Sequence, residues 1–290
     1  LGASVGAAGV LGGSSILGSC NRVEEVSGDK ITLLTSSGEL VVVDRSQLKP
    51  AEIPSLTENQ RRGIKGLPGR SWVMVIDLSK CRNARECMKA CQSHHQLRPE
   101  QHHINVLQMQ DSEDTAPYFM PKPCLHCDNP PCTKVCPVNA TFKREDGIVL
   151  IDNERCIGCR FCIAACPYSA RVFNWKEPRD AEKYEGVTYN IEANVPQKKG
   201  TISKCLFSAD RLREGQLPSC VSACPNGVYW FGDRNEDAVT NGTTKETVSF
   251  SKLVKEGAAY TLMKELGTKP RVYYLPPKGQ VANPIEGDHS

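Results

Sequence analysis

The sequence predicts an α+β fold whose central part is built twice from short strands, short helices and cysteine-bearing loops. Two apolar runs share one pattern, in which Ile-Asp is followed by a cysteine four residues after the Asp. They are VMVIDLSKC, which ends at Cys81, and IVLIDNERC, which ends at Cys156. Further strand-like runs follow the Cys-Pro pairs that begin at Cys136, Cys166 and Cys224. Between two of these runs, Asp146-Gly147 is a hairpin signal. The repeated pattern indicates strands that carry the chain to and from cysteine loops.

The composition narrows the class of protein. A chain of 290 residues with 39% hydrophobic content can bury a real core, so its fifteen cysteines are not needed as disulfide staples. Metal binding is the favoured explanation for them. The net charge of +3 is small and the basic residues are scattered, which indicates no nucleic-acid-binding surface. The chain is also too polar for a bundle of membrane-spanning helices.

The first twenty residues, LGASVGAAGVLGGSSILGSC, are apolar, small and uncharged. They resemble the hydrophobic part of an export signal more than a packed helix. The ending LGSC also resembles a lipoprotein cleavage box, with Cys20 as the lipidated residue. We expect residues 1–20 to be a retained leader or anchor, held at a membrane or against a partner. A flexible Gly-rich leader is the alternative.

Residues 21–70 are predicted to lie outside the main domain, as a β-hairpin extension and a linker. The stretch DKITLLTSSGELVVVDRSQL has two β-branched runs on either side of Ser-Ser-Gly, which is typical of a hairpin. The stretch AEIPSLTENQRRGIKGLPGR is polar and interrupted by Pro and Gly. It is predicted to be a linker that ends near Arg70.

Two cysteine motifs in the centre of the chain are complete. CIGCRFCIAACP has the Cys-x2-Cys-x2-Cys-x3-Cys-Pro spacing in which three thiolates hold one iron-sulfur cluster and the fourth reaches a second. CLHCDNPPCTKVCP has the same plan with a longer second gap. Because each motif donates its last cysteine to the other, the predicted 4Fe-4S ligand sets are Cys124, Cys127, Cys132 and Cys166, and Cys156, Cys159, Cys162 and Cys136. The fold class is therefore a duplicated, loop-rich, bacterial-ferredoxin-like βαβ core over residues 71–235.

A zinc-stabilised binding module is the competing interpretation of these motifs. Four-thiolate zinc sites also use Cys-x2-Cys pairs. Zinc sites do not need the four-cysteine run closed by proline, and this run favours iron-sulfur clusters. A disulfide framework is less favoured still, because the chain is large enough to form a core.

The two outer motifs, CRNARECMKAC and CLFSADRLREGQLPSCVSAC, are incomplete. Each supplies three cysteines, and the second ligand position holds Ala84 in the first motif and Ser208 in the last. If these motifs also exchange their last cysteines, the predicted sites are Cys81, Cys87 and Cys224, and Cys205, Cys220 and Cys91. Alanine cannot bind iron, and the pKa of a serine hydroxyl is far above that of a thiol. We expect a 3Fe-4S cluster in at least one outer site; the alternatives are a lost site or an unusual ligand.

Several charged or titratable residues lie close to the motifs. The stretch CQSHHQLRPEQHHI contains His94, His95, His102 and His103. These histidines could bind iron, face a haem partner or move protons, but the favoured interpretation is a solvent-exposed loop. Lys204 and Arg160 adjoin predicted ligands, where positive charge favours a reduced cluster, although both could be surface charges.

The cysteines stop before Asp233, and residues 236–290 are predicted to be a docking segment. An amphipathic helix is predicted around Ala258 to Leu266, closed by Gly267. An ordinary helix that covers the core is equally consistent with the periodicity.

The four motifs in this order, with the long gap in KCLFSADRLREGQLPSCVSACP and the closing ELGTKPRVYYLPP, resemble a known family. It is the four-cluster ferredoxin subunit of membrane-bound molybdopterin oxidoreductases, of the polysulfide-reductase and DMSO-reductase kind, and of exported nickel-iron hydrogenases. The resemblance covers about Trp72 to Pro277. Relatives in alternative complex III contain three-iron clusters, so the departures at Ala84 and Ser208 suit that branch too.

The resemblance implies an electron-transfer subunit. Its expected partners are a catalytic molybdopterin or hydrogenase subunit or a multihaem cytochrome, and a quinone-reactive membrane subunit. The implied location is the periplasm or the outer face of the cytoplasmic membrane, after export of the folded protein. The sequence has no P-loop and no dinucleotide fingerprint, so we expect no enzyme activity of the chain by itself. A free-standing polyferredoxin carrier is the alternative function.

Overall fold

The computed structural model describes residues 30–34, 39–44, 46 and 58–277. Its strands are β1 (Lys30–Leu34), β2 (Leu40–Asp44), β3 (Trp72–Asp77), β4 (Asn105–Met109), β5 (Tyr118–Lys122), β6 (Thr141–Lys143), β7 (Val149–Ile151), β8 (Arg171–Phe173), β9 (Ile202–Lys204), β10 (Tyr229–Asp233), β11 (Ala238–Asn241), β12 (Thr247–Ser249) and β13 (Val272–Leu275). Its α-helices are α1 (Glu58–Lys65), α2 (Glu86–His94), α3 (Pro131–Lys134), α4 (Phe161–Ala164), α5 (Ala209–Arg213), α6 (Ser219–Ala223) and α7 (Phe250–Glu256). The chain divides into two units, Leu1–Ser55 and Leu56–Ser290. The predicted leader, with Cys20, and the predicted hairpin turn at 35–38 lie outside the described residues.

In the first unit, β1 and β2 pair antiparallel. Lys30 lies opposite Asp44, and Leu34 lies opposite Leu40. The side chains of Leu40 and Val42 are exposed. A two-stranded sheet is marginal by itself.

The second unit contains a five-stranded sheet in the order β12-β11-β10-β3-β13. β3 runs antiparallel to β10 and parallel to β13. Its apolar run is buried on both faces, as a central strand requires. Met74 and Ile76 face the main core, whereas Val73 and Val75 pack with Trp230 in a second, smaller cluster. The main core also contains cysteines of the first and last motifs, whereas Cys132 and Cys162 pack in a third cluster with Val149 and Ile202.

Short antiparallel pairs carry the remaining loops. β6 pairs with β7 across the predicted Asp146-Gly147 turn, and β8 pairs with β9. The runs predicted after the Cys-Pro pairs are present as β6, β8 and β10, and each cysteine loop contains a short helix, namely α2, α3, α4 or α6. The mixed helix and strand content of the prediction is therefore confirmed.

One local prediction is wrong, and one segment contains a helix that was not predicted. The predicted linker contains α1, which has Glu58 in its first turn and Lys65 in its last, the charge order that stabilises a helix. The α-helix predicted at Ala258 to Leu266 does not form: α7 ends at Glu256, and Ala258 and Met263 both adopt positive φ angles of 48°. A short 3₁₀ turn follows at Lys264–Leu266.

The segment after Asp233 is part of the main sheet. β11 and β12 extend the sheet beyond β10, and β13 lies on the other side of β3. A docking role for residues 236–290 stays a prediction. Every helix among the described residues is too short or too polar to cross a lipid bilayer.

Candidate metal centres

The structure brings the predicted ligands together around separate cavities. Each of three cavities is lined by all the cysteines of one predicted set. We name these sets site A (Cys136, Cys156, Cys159 and Cys162), site B (Cys124, Cys127, Cys132 and Cys166) and site D (Cys81, Cys87 and Cys224). In each set the last cysteine of one motif joins the earlier cysteines of another, which is the predicted exchange. Ala84 lines the cavity of site D.

The fourth set, Cys91, Cys205 and Cys220, is named site C. Burial raises the pKa of Cys91 and of Cys220 well above the ordinary thiol value, and the charge of Cys205 raises both further. Electrostatic effects of this kind fall with distance, so the three thiols lie near one another. All fourteen cysteines of the described residues are free thiols.

Each of the four sites lies close to the next in the order A, B, C, D, and we call this succession the row. Burial raises the pKa of Cys162 in site A, and the charge of Cys132 in site B adds to the rise. Burial likewise raises the pKa of Cys205 in site C to about 11, with a further contribution from Cys124 in site B. The charge of Cys87 in site D likewise raises the pKa of Cys91 and of Cys220 in site C. Each neighbouring pair of sites is therefore in electrostatic contact.

The loops share an unusual backbone conformation. The residue two positions after the first cysteine of each motif has a positive φ angle: 57° at Asn83, 43° at His126, 70° at Gly158 and 54° at Phe207. Left-handed residues in such turns direct backbone N–H groups inward and form concavities that bind anions, as at many iron-sulfur sites. The Cys205 sulfur accepts N–H hydrogen bonds from Phe207 and Cys124. The incomplete motifs therefore keep the loop geometry of the complete ones.

Buried cations lie at two junctions of the row. Burial by itself would lower the pKa of Arg171, but the charges of Cys132 and Cys162 outweigh burial and raise it. Burial lowers the pKa of Lys204, which Cys124 and Cys205 partly offset. Lys204 is 0% exposed, so it is not one of the surface charges considered from the sequence. Arg160 is exposed. Buried cations beside several thiols fit an anionic group at these sites.

The prediction of a solvent-exposed histidine loop is wrong for two of the four histidines. His95 and His103 are only 2% and 3% exposed. His94 and His102 are half-buried. No sequence signal indicates this burial, because the histidines are packed by segments distant along the chain, such as Ala193, whose carbonyl accepts a hydrogen bond from His95.

Some residues of the sites were not singled out from the sequence. Arg171 begins the strand-like run after the Cys166-Pro pair, and its charge in an otherwise apolar run was the sequence signal that could have indicated a role near the sites. His126 is 0% exposed, accepts a hydrogen bond from the Val149 N–H at Nδ1 (3.0 Å) and stacks on Phe207 with the ring centroids 3.8 Å apart. Its position inside a cysteine motif gave no hint of that contact.

Free thiols in exchanged sets, inward N–H groups and buried cations together define an iron-sulfur protein. The family model described as a 4Fe-4S dicluster domain matches residues 115–187, and a second model of the same description matches residues 155–228. These matches cover sites A and B and favour iron over zinc.

Comparison with curated proteins identifies the family, whose members include the B subunits of several reductases. The chain is 36% identical to the B subunit of selenate reductase from Mesobacillus selenatarsenatis, over 83% of this chain and 80% of the relative. It is 32% identical to the B subunit of tetrathionate reductase from Salmonella typhimurium, over 89% of this chain and 90% of the relative. It is 36% identical to the iron-sulfur cluster-binding subunit of menaquinone reductase from Nitratidesulfovibrio vulgaris, over 70% and 88%. The chain belongs to the family of iron-sulfur B subunits of molybdopterin-type reductases, which are electron-transfer subunits of respiratory complexes. The predicted family is confirmed.

Proposed function

We propose that this chain relays electrons along the row of sites A to D, between a catalytic subunit and a quinone-reactive membrane subunit. The observation that carries the proposal is the row itself, in which thiols of each site act electrostatically on those of the next. Iron-sulfur clusters at these sites supply one-electron redox chemistry. The proposed set is a 4Fe-4S cluster at sites A and B and a 3Fe-4S cluster at site D.

The chain's own contribution is to hold and tune the clusters rather than to bind a substrate. The cysteines of sites C and D are buried. Burial excludes water and strengthens the effect of nearby charges. Lys204 and Arg171 place positive charge beside the sites, where it favours the reduced, more negative state. The proposed role is therefore that of a subunit without enzyme activity of its own.

One end of the row reaches the surface. Cys159 of site A is exposed, and the nearby side chains of Ile157 and Phe161 are 64% and 60% exposed. Exposed apolar side chains that cluster on a surface mark interaction sites. This end of the row is suited to contact with a redox partner.

The partners and the location follow from the relatives and the sequence. Two relatives are named as B subunits of reductases, and a third is a subunit of menaquinone reductase. These names support a catalytic partner and a quinone-linked partner for this chain. Export to the outer face of the membrane, with anchoring by residues 1–20 or by lipid at Cys20, is part of the proposal and is supported by the sequence of that segment.

The relay is tested by purifying the tagged chain anaerobically from its native membranes. We expect larger subunits to co-purify, and quinol to bleach the visible iron-sulfur absorption. Cys162→Ala should remove the site A signal and abolish reduction of the catalytic partner. The control Ser222→Ala, on the exposed face of α6, should change neither. Isolation of the chain alone with intact clusters would favour a free carrier, and a colourless zinc protein would refute the proposal.

The three-iron cluster at site D is tested with Ala84→Cys. Ala84 lines the cavity of site D, so a thiol there supplies the missing fourth ligand. We expect the EPR signal of an oxidised 3Fe-4S cluster to disappear and the iron content to rise by one per chain. An unchanged signal in a folded variant would assign the three-iron cluster elsewhere.

A further inference from the structure

Site C lacks its second thiolate, and the serine in that place is already engaged. Ser208 is 4% exposed, and its Oγ accepts a hydrogen bond from the backbone N–H of Ser219 (3.2 Å). A hydroxyl must also lose a proton of high pKa before it binds iron well. A fourth iron at site C would therefore need a ligand other than Ser208.

Two buried imidazoles lie against this site. The Cys91 sulfur and one ring nitrogen each of His95 and His103 lie within 4.8 Å of one another. Both ring nitrogens of His103 are buried without a hydrogen-bond partner among the described residues. His95, in contrast, uses Nδ1 to donate to the Ala193 carbonyl (2.8 Å). Buried polar atoms without a hydrogen-bond partner are rare. The His103 ring is therefore the one of the two imidazoles with both nitrogens available to bind a metal.

The histidine segment is fixed next to the corner that Ser208 leaves. His94 Nε2 lies 2.8 Å from Asp210 Oδ2. Asp210 is in the first turn of α5, which begins directly after Ser208. His94 contacts His95 edge-on with the ring centroids 4.8 Å apart, and His95 contacts His103 in a tilted arrangement with the centroids 5.5 Å apart. The same segment therefore contacts site C at Cys91 and lies beside the start of α5, next to Ser208.

The described side chains that line the cavity of site D include no imidazole, and the buried Tyr229 hydroxyl among them hydrogen-bonds to the Cys87 sulfur, which is already a ligand. The carboxylate among them, Glu86, is paired with Lys89 at 2.7 Å. The two incomplete sites are therefore not equivalent, although each lacks one thiolate.

We propose that the imidazole of His103 completes site C, so that this site holds a four-iron cluster on three thiolates and one nitrogen. The inference rests on the proposed electron relay, because it assumes iron-sulfur clusters along the row. Site C keeps the left-handed backbone of the other loops at Phe207 and Ser208, so its loop has the shape of those that form the complete sites. His95 packs between His94 and His103 and positions the ligand. Replacing a thiolate by neutral imidazole removes one negative charge and raises the reduction potential of the cluster, as imidazole ligands do elsewhere.

The experiment uses the full chain, purified anaerobically with its clusters after growth on ¹⁵N-histidine. Pulsed EPR of the reduced protein should show strong coupling of one cluster to a histidine nitrogen. His103→Ala should abolish that coupling, lower the iron content by one per chain and raise the oxidised three-iron signal from one to two spins per chain. The control His102→Ala, a half-buried neighbour outside the Cys91 group, should leave all three readouts unchanged.

A second variant keeps the test valid if His103→Ala does not fold. Ser208→Cys in the otherwise native chain should displace the imidazole and abolish the nitrogen coupling without loss of iron. Combined with His103→Ala, Ser208→Cys should restore the iron lost in the single variant. One zinc per chain that disappears with His103→Ala, or full coupling in either variant, would overturn the inference. Absence of iron from the native chain would instead refute the proposed electron relay, so the two failures are distinguishable.

Discussion

At the scale of single residues, Lys204 shows how the row is tuned. Its ammonium group is fully buried and donates hydrogen bonds to the carbonyls of Val149 and Cys205. Burying an unpaired charge costs several kcal/mol, so the fold keeps this lysine only beside compensating negative charge. Clusters at sites B and C would supply that charge.

Lys204→Met should lower the reduction potential of the clusters at sites B and C. Removing a nearby positive charge is worth on the order of 1–2 kcal/mol at an effective dielectric constant near 20, or roughly 40–90 mV for one electron. EPR-monitored redox titration measures the shift. The control Arg160→Met removes an exposed cation that stacks on Phe173 and Trp175, and its shift should be smaller because solvent screens the charge. Equal shifts would contradict this account of burial.

The residues of the sites differ in how far the sequence predicts them. The cysteine spacing alone grouped the thiols into the sets that the structure brings together, because ligand geometry constrains spacing strongly. The burial of His103 and Lys204 could not be predicted, since both are packed by segments far away along the chain. The left-handed conformation of Phe207 was equally hidden, because a phenylalanine gives no sign of a positive φ angle in a sequence.

At the scale of elements, the β6-β7 hairpin depends on one carboxylate. Asp146 is fully buried and accepts hydrogen bonds from the Arg144 side chain and from the backbone N–H groups of Leu67 and Ile148. Arg144 is also fully buried and pairs with Glu192 at 2.6 Å. The turn therefore joins the hairpin to the chain that precedes β3.

Asp146→Asn should destabilise the protein by about 3 kcal/mol, because it removes one partner of a buried ion pair. For a domain of this size that loss lowers the unfolding temperature by roughly 6–12 °C. Differential scanning calorimetry of the cluster-loaded protein measures the change. Asp111→Asn alters an exposed loop and should shift the transition by less than about 2 °C. A similar small shift for Asp146→Asn would show that the ion pair contributes little.

The elements also show where sequence reasoning failed. The Asp-Gly turn and the strands after Cys-Pro carry strong local signals, and both are present in the structure. The helix that was expected at Ala258 is absent because tertiary contacts hold the backbone extended there: Tyr260 and Tyr274 exchange both backbone hydrogen bonds. The hydrogen bonds to Tyr274, fourteen residues along the chain, therefore determine the local backbone more strongly than the helical spacing of apolar residues does.

At the scale of the whole molecule, Asp128 joins three distant segments. Its Oδ1 accepts hydrogen bonds from Lys143 (2.6 Å) and Arg271 (2.5 Å), and its Oδ2 accepts from Arg234 (3.3 Å). Burial raises the pKa of Asp128, but the hydrogen bonds from Lys143 and Arg271 outweigh burial and lower it. The ionised carboxylate therefore stabilises the fold.

Asp128→Asn should destabilise the protein by about 1–3 kcal/mol at neutral pH, since three donors lose a charged acceptor. Because the pKa in the folded state is depressed, this contribution is fully present above the unfolded value of about 3.9 and is lost only as pH falls below it. The difference from the native protein should thus be constant between pH 8 and pH 5. Denaturant unfolding measures it, with Asp114→Asn as an exposed control. A difference that grows or shrinks across this range would contradict the assignment.

The parallel pairing of β13 with β3 links chain segments some 200 residues apart, as does the hydrogen bond from Arg271 to Ser71. Both neighbours of β3 in the sheet, β10 and β13, follow it in the sequence, so neither of its edges can pair until more than 150 further residues have been translated. The loop around Leu125 is closed just as late, because its carbonyl accepts a hydrogen bond from the Arg271 N–H. The contacts that hold the inner loops in place therefore depend on a strand near the far end of the described residues, so a chain cut short before β13 could not close over them.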